Sequence, residues 1–263
     1  MALRDTLRFH RALFATNLKA SLANRGAFAM SVGLMIVNDA IWFAVWAVFF
    51  GRFRSIGGFG LEDMALLQGV LASAFGLGVV FAAGTRDLAK TISEGDLDTF
   101  LLQPKPALAH VIASKTTASG LGDLVYGLAM LATFARLNAT SWPWVPVGLV
   151  AGAVVVVSFG VVVHSVAFWA GPVHTLARQM NEILVIFTGY PDLLFGGMLR
   201  VALFTLVPAG FVAWMPARLV REPSLVSLSA VLGGALATAA LAVFVFRRGL
   251  RRYESGSRFG SMG

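Results

Sequence analysis

The sequence contains no cysteine, which excludes disulfides, cysteine-ligated metals and thiol catalysis. Charge is scarce. Asp, Glu, Lys and Arg make up 13% of the 263 residues, against about 25% in an ordinary soluble domain. Apolar types reach 57%, and the mean hydropathy is +0.78. This composition argues against a soluble enzyme and against a disordered or fibrous chain. Catalytic signatures are missing too. There is no G-x-x-x-x-G-K-[ST] phosphate loop, no H-E-x-x-H and no G-x-S-x-G. The lipid-headgroup-transfer pattern D-x-x-D-G-x-x-A-R is also absent. His10, His110, His164 and His174 each stand alone, and the acidic pair Asp96 and Asp98 has no following metal-binding partners. The residues therefore support no catalytic, metal or cofactor site in this chain.

What is present is a series of long apolar runs. A hydrocarbon layer of roughly 30 Å needs about 20 apolar residues in a helix, and backbone groups in lipid must bond within the chain. Runs at 27–50, 64–84, 116–135, 147–170 and 225–246 each read as a span. The stretch 183–220, punctuated by Pro191, Pro208 and Pro216, is too long for one span and is able to make two. The positive-inside rule decides between the options. One span at 183–199 followed by a re-entrant segment at 200–222 puts fifteen of the 21 Lys and Arg residues on the inner side; two full spans put twelve there. The expected fold is thus an all-α membrane protein with six transmembrane helices, both termini inside, and a re-entrant hairpin between helices 5 and 6. The net charge of +8 then belongs to the inner, anionic lipid face, and nucleic acid is an unnecessary partner. Trp142 and Trp144 fit an outer aromatic belt. No cleavable signal peptide is expected, since the first 25 residues lack a continuous apolar core.

Two segments lie outside the spans. Leu3, Leu7, Phe14, Leu18 and Leu22 recur at helical spacing beside Arg4, Arg8, Arg11 and Lys19. That pattern suits a helix over 1–25 lying in the inner interface, or one packed on another protein. The loop 85–115 holds Asp87, Glu94, Asp96 and Asp98 with four bases, far more than a span connection needs. Leu88 and Ile92 mark one short helix, and Gly95 is suited to the left-handed residue that ends it. Asp96 is placed to cap the next turn, where Leu97, Phe100 and Leu101 make a small apolar face before Pro104 and Pro106. The reading is an apolar knob ringed by acids, either a docking surface or a loop packed on the chain's own helix ends.

Ionisable residues inside the spans are costly and mark a pathway or a buried partner. Asp39 lies twelve residues past Ala27, roughly 18 Å in at 1.5 Å per residue, and Asp192 lies at similar depth. Asp123 and His164 sit nearer the inner ends of their spans. The expectation is that Asp39 and Asp192 face a central cavity favouring cationic amphiphiles. The alternative, for Asp123 and His164 above all, is an interhelical hydrogen bond.

The run Ile92 to Pro104 (I-S-E-G-D-L-D-T-F-L-L-Q-P), the Tyr190-Pro191 pair, Leu199-Arg200, Val207-Pro208, Met215-Pro216-Ala217 and Gly249-Leu250-Arg251-Arg252-Tyr253-Glu254-Ser255 together resemble the permease subunits of ABC-2 type exporters, the ABC-2 family transporter proteins. The resemblance implies six spans, an N-terminal interfacial helix and a coupling helix after span two. The coupling helix docks on a separate ATP-binding subunit, so Glu94, Gly95, Asp96, Leu97, Asp98, Phe100 and Leu101 would be the contact. It also implies two permeases, identical or paralogous, with two ATPase chains that carry the ATP and Mg²⁺, in the bacterial inner membrane. The cargo would be hydrophobic or amphipathic, with Asp39, Asp192 and Asp123 as candidates for its path. A proton-coupled secondary transporter using the intramembrane carboxylates is the rival reading, although no convincing internal repeat supports it.

Overall fold

The computed structural model describes residues 3–253, with side chains from Arg8 onward. Long apolar runs become long helices because lipid leaves the backbone no other partner. Helix α1 (Leu3–Leu22) is followed by a break at Ala23-Asn24, and α2 (Arg25–Arg52) starts where the Asn24 Oδ1 accepts the Ala27 amide at 3.0 Å. Helix α3 (Leu61–Ala82) opens with Asp63, whose Oδ2 accepts from the Gly60 amide at 2.9 Å, and runs through a 3₁₀ turn (Ala83–Asp87) into α4 (Leu88–Ser93). Two short helices, α5 (Asp98–Leu101) and α6 (Ala107–Ala113), complete the loop, and α7 (Ser119–Thr133) re-enters the bundle. Next come α8 (Trp144–Ser165), α9 (Ala167–Ala170) and α10 (His174–Thr188), and α13 (Leu225–Leu250) closes the described chain.

Among the described residues, four helical stretches are long and apolar enough to cross a membrane: Arg25–Arg52, Leu61–Ser93, Trp144–Ala170 and Leu225–Leu250. The six-span expectation also needs α7 and α10. Each has 15 residues, about 22 Å of helix at 1.5 Å per residue. The expected span at 183–199 is corrected: the helix there is His174–Thr188, and Pro191, with no amide hydrogen to donate, ends the run. Beyond it lie a 3₁₀ turn (Asp192–Leu194), α11 (Gly197–Thr205), a π-helical turn (Gly210–Trp214) and α12 (Met215–Arg221). The α11 and α12 arms meet at 74°, a broken span or a re-entrant loop by shape. The Arg221 guanidinium pairs with Asp63 at the start of α3, so the bent segment sits at the end of the bundle opposite loop 85–115.

A large core runs through the bundle. Met64, Leu67 and Val70 of α3, Val155 and Phe159 of α8, Leu184 of α10, and Val212 and Trp214 of the bent segment all pack into it. The Trp214 indole donates to the Tyr190 carbonyl at 2.9 Å, which satisfies the backbone left open where α10 ends.

Candidate functional site

The loop 85–115 is a folded object, tied down on every side. Asp87 accepts from Lys115 at 2.6 Å and lies 3.7 Å from Arg178 of α10, so the two ends of the loop and a bundle helix meet at one carboxylate. These pairs are largely exposed, and they fix geometry more than stability. Gly95 has φ +80°, the left-handed conformation expected of the elbow. The expected carboxylate cap at Asp96 is corrected: the capping position is Leu97, without a side-chain hydrogen bond. Asp96 contributes its carbonyl, which accepts from Thr99 Oγ1 at 2.8 Å and from the Thr99 amide at 3.2 Å. Glu94 pairs with Lys90 one turn back, at 4.0 Å.

Leu97 is fully buried, which removes it from the expected contact face. It packs with Leu88, Ala89, Ile92, Val111 and Phe246 in a second core, and Phe100 and Tyr253 lie at its edge. The exposed apolar tip is Leu101, 40% exposed, and Leu102, 87% exposed. The contact that the resemblance implies runs from Glu94 to Leu102, and Leu102 is its most exposed leucine. The doublet before Pro104 was its signal, since a one-turn helix turns at most one of two successive leucines inward.

Two motifs far apart in sequence meet here. Tyr253, of the Gly249-to-Ser255 run, stacks edge-on against Phe168 at 6.1 Å and lies beside Asp98. Burial and the Asp98 carboxylate push its hydroxyl up to about 12. Glu254 and Ser255 lie outside the described residues. Helix α1 clasps the other side of the loop. Asn17 Nδ2 donates to the Ala113 and Ser114 carbonyls at 3.3 and 3.0 Å, and the His110 ring is held edge-on between Phe9 and Phe100, 5.0 Å from each. One side of the N-terminal helix thus packs on the chain's own loop.

Burial, with His10 and Lys105 nearby, holds the His110 imidazole below the usual histidine range. The clasped state therefore binds a proton less readily than the open one. Its contribution to stability is complete above the ordinary imidazole pKa of about 6.5 and is lost as pH falls below it. Amide exchange in α6, corrected for intrinsic rates, should speed up between about pH 7 and pH 5, and His110→Phe should flatten that dependence.

The second candidate site is a cavity of about 500 Å³ between α2, α3, α7 and α10. Helix α2 presses directly on α7 at Gly122, where a Cβ would meet the Val32 carbonyl at 2.6 Å and the Met35 Cβ at 2.8 Å. Asp39 is one turn beyond Met35 on the same face, and Asp123 follows Gly122, so both carboxylates enter one space. Gln68, Tyr126, Arg86 and Glu182 share it, and the Tyr126 hydroxyl lies 3.3 Å from Gln68 Oε1 as donor. The expected partnership of Asp39 with Asp192 is corrected. Pro191 takes Asp192 off the α10 helix, and its carboxylate pairs with Arg200 at 2.9 Å beside a separate cavity. His164 is fully buried, and its Nδ1 accepts the Ala89 amide at 3.4 Å, tying α8 to the loop.

Long apolar helices packed together, with a polar cavity and a folded loop at one end, define a multi-pass membrane protein. Residues 36–257 match the family model described as ABC-2 family transporter protein, and the chain belongs to that family. Its class is the membrane permease component of ABC transporters, distinct from the ATPase that works with it. No curated protein and no solved structure is similar enough to add to that assignment.

Proposed function

We propose that this chain is the permease of an ATP-driven exporter in the bacterial inner membrane. It moves hydrophobic or amphipathic cargo outward by alternating access, with ATP and Mg²⁺ held by two copies of a separate subunit. A second permease, identical or paralogous, completes the pathway. In this reading α2, α3, α7, α8, α10 and α13 are the six spans, both termini are inside, and α11 with α12 is the re-entrant hairpin. The excess of Lys and Arg at the loop end supports that orientation.

One observation carries the proposal: an exposed leucine pair stands on a loop that is anchored to four parts of the chain. Force applied at Leu101 and Leu102 passes through buried Leu97 to α13 by way of Phe246, and through Asp87 to α10. A nucleotide-driven partner shifts the permease only if its states differ in affinity for that tip. Tagged chain purified from its native membrane should carry a phosphate-loop ATPase, identified by mass spectrometry, and the reconstituted complex should export solute only with ATP. Solute movement by the purified chain with no ATPase bound would overturn the proposal. A proton-coupled transporter is the competing reading, and the presence of Asp39 and Asp123 in one cavity supports it. Collapsing the proton gradient during efflux separates the two.

A further inference from the structure

The cavity holding Asp39 and Asp123 has an unbalanced lining. Three carboxylates (Asp39, Asp123 and Glu182) face one guanidinium, Arg86. Arg86 sits at one end, its charge 5.2 Å over the Phe75 ring, next to the Asp87 hub. Among the described residues Asp123 makes no ion pair, though only 3% of it is exposed. Asp39 receives a long contact from Asn38 Nδ2 at 3.4 Å, and its carboxyl group lies against that of Asp123. Two carboxyl groups in contact in a medium of low dielectric cannot both stay ionised alone, so they hold either a shared proton or a cation between them. The rest of the wall is aromatic: Trp42, Trp46, Phe75 and Tyr190. Aromatic faces attract cations and also bury apolar substituents. A volume of about 500 Å³ is that of a small-molecule site.

We propose that this cavity is a cargo site for lipophilic monocations, with Asp39 and Asp123 holding the charge and Trp42, Trp46 and Phe75 holding the apolar groups around it. The proposal rests on the reading of the chain as an exporter permease and names the cargo class of that permease. It also explains why the acids lie on α2 and α7. These two helices meet at Gly122, and a cation entering between them is surrounded without any change of rotamer being required of a salt-bridged residue.

The test uses the permease purified with its ATPase partner in nanodiscs and two ions of matched shape, tetraphenylphosphonium and tetraphenylborate. Equilibrium binding should favour the phosphonium by at least about tenfold. Asp39→Asn and Asp123→Asn should each weaken phosphonium binding by about tenfold while borate binding stays constant or rises. Because Asp123 is buried, Trp42→Ala on the exposed side of α2 provides a second arm that does not endanger folding, and it should weaken the phosphonium severalfold. Equal binding of the two ions, or an Asp39→Asn complex with wild-type phosphonium affinity, would overturn the site. The same preparation reports on the ATPase. A co-purified ATPase with no charge selectivity rejects this site alone, and selective binding without any ATPase rejects the exporter reading alone.

Discussion

Replacing both Leu101 and Leu102 with aspartate should abolish cargo-stimulated ATP hydrolysis while leaving the permease folded and inserted. The two side chains are 40% and 87% exposed, so charging them costs the isolated chain little. In a docked complex the same change removes the burial of two leucines, worth about 3 kcal/mol, which is about a hundredfold in the dissociation constant. The contrast with Leu97→Asp is informative. Leu97 is fully buried against Leu88, Ile92 and Phe246, so an aspartate there places a carboxylate in an apolar core with no partner. That variant tests whether the loop folds, whereas the Leu101 and Leu102 pair tests whether it docks. Gly95→Ala is an intermediate case: at φ +80° an alanine costs about 1 kcal/mol, enough to bend the elbow without unfolding it. ATPase assays on the three purified complexes, with co-purification as the assembly control, should show cargo stimulation lost in both aspartate variants and only partly reduced in Gly95→Ala. Normal cargo stimulation in the double aspartate variant would remove the docking role.

How far the sequence carries this picture differs by element. The helices α2, α3, α8 and α13 were legible because each is one unbroken apolar run, and lipid gives such a run a single way to satisfy its backbone. The segment 174–221 was not. Hydropathy averages over a window and does not register the break at Pro191, and the polar residues Arg178, Asn181 and Glu182 hid the start of α10. The loop was half legible. Gly95 announced its turn because glycine adopts the left-handed conformation that other residues resist, but which leucine faced inward depended on α8 and α13 packing beneath it. Pairing was the least visible feature. Asp39 and Asp123 are 84 positions apart, and only the contact of α2 with α7 brings them together. Nothing local to either aspartate encodes that contact.

Gly127→Val should prevent stable assembly of the bundle, because α3 and α7 touch backbone to backbone. A Cβ at Gly127 would lie 2.6 Å from the Ser73 amide and 2.7 Å from the Gly69 carbonyl. One at Gly76 would lie 2.6 Å from the Gly120 carbonyl and 2.7 Å from the Leu124 amide. Gly69 and Gly76 on α3 face Gly127 and Gly120 on α7, each pair seven residues apart and so on one helix face. In lipid no hydrophobic force draws helices together, and close approach of small residues supplies the association through dispersion. A valine would meet main-chain atoms as well as the Ser73 side chain, and the main-chain atoms cannot turn away, so the helices must separate. Overpacking costs up to about 3 kcal/mol, occasionally more, and a clash with main-chain atoms belongs at the upper end. Fluorescence-detected gel filtration of detergent-solubilised protein should show a lowered melting temperature or aggregated material. Gly33→Ala and Gly233→Ala, where a Cβ meets nothing within 4 Å, should leave the profile unchanged. The same separation would widen the cavity that α3 and α7 help to wall. Surviving Gly127→Val protein should therefore lose its discrimination between tetraphenylphosphonium and tetraphenylborate, because Asp123 sits one turn before Gly127 and moves with it.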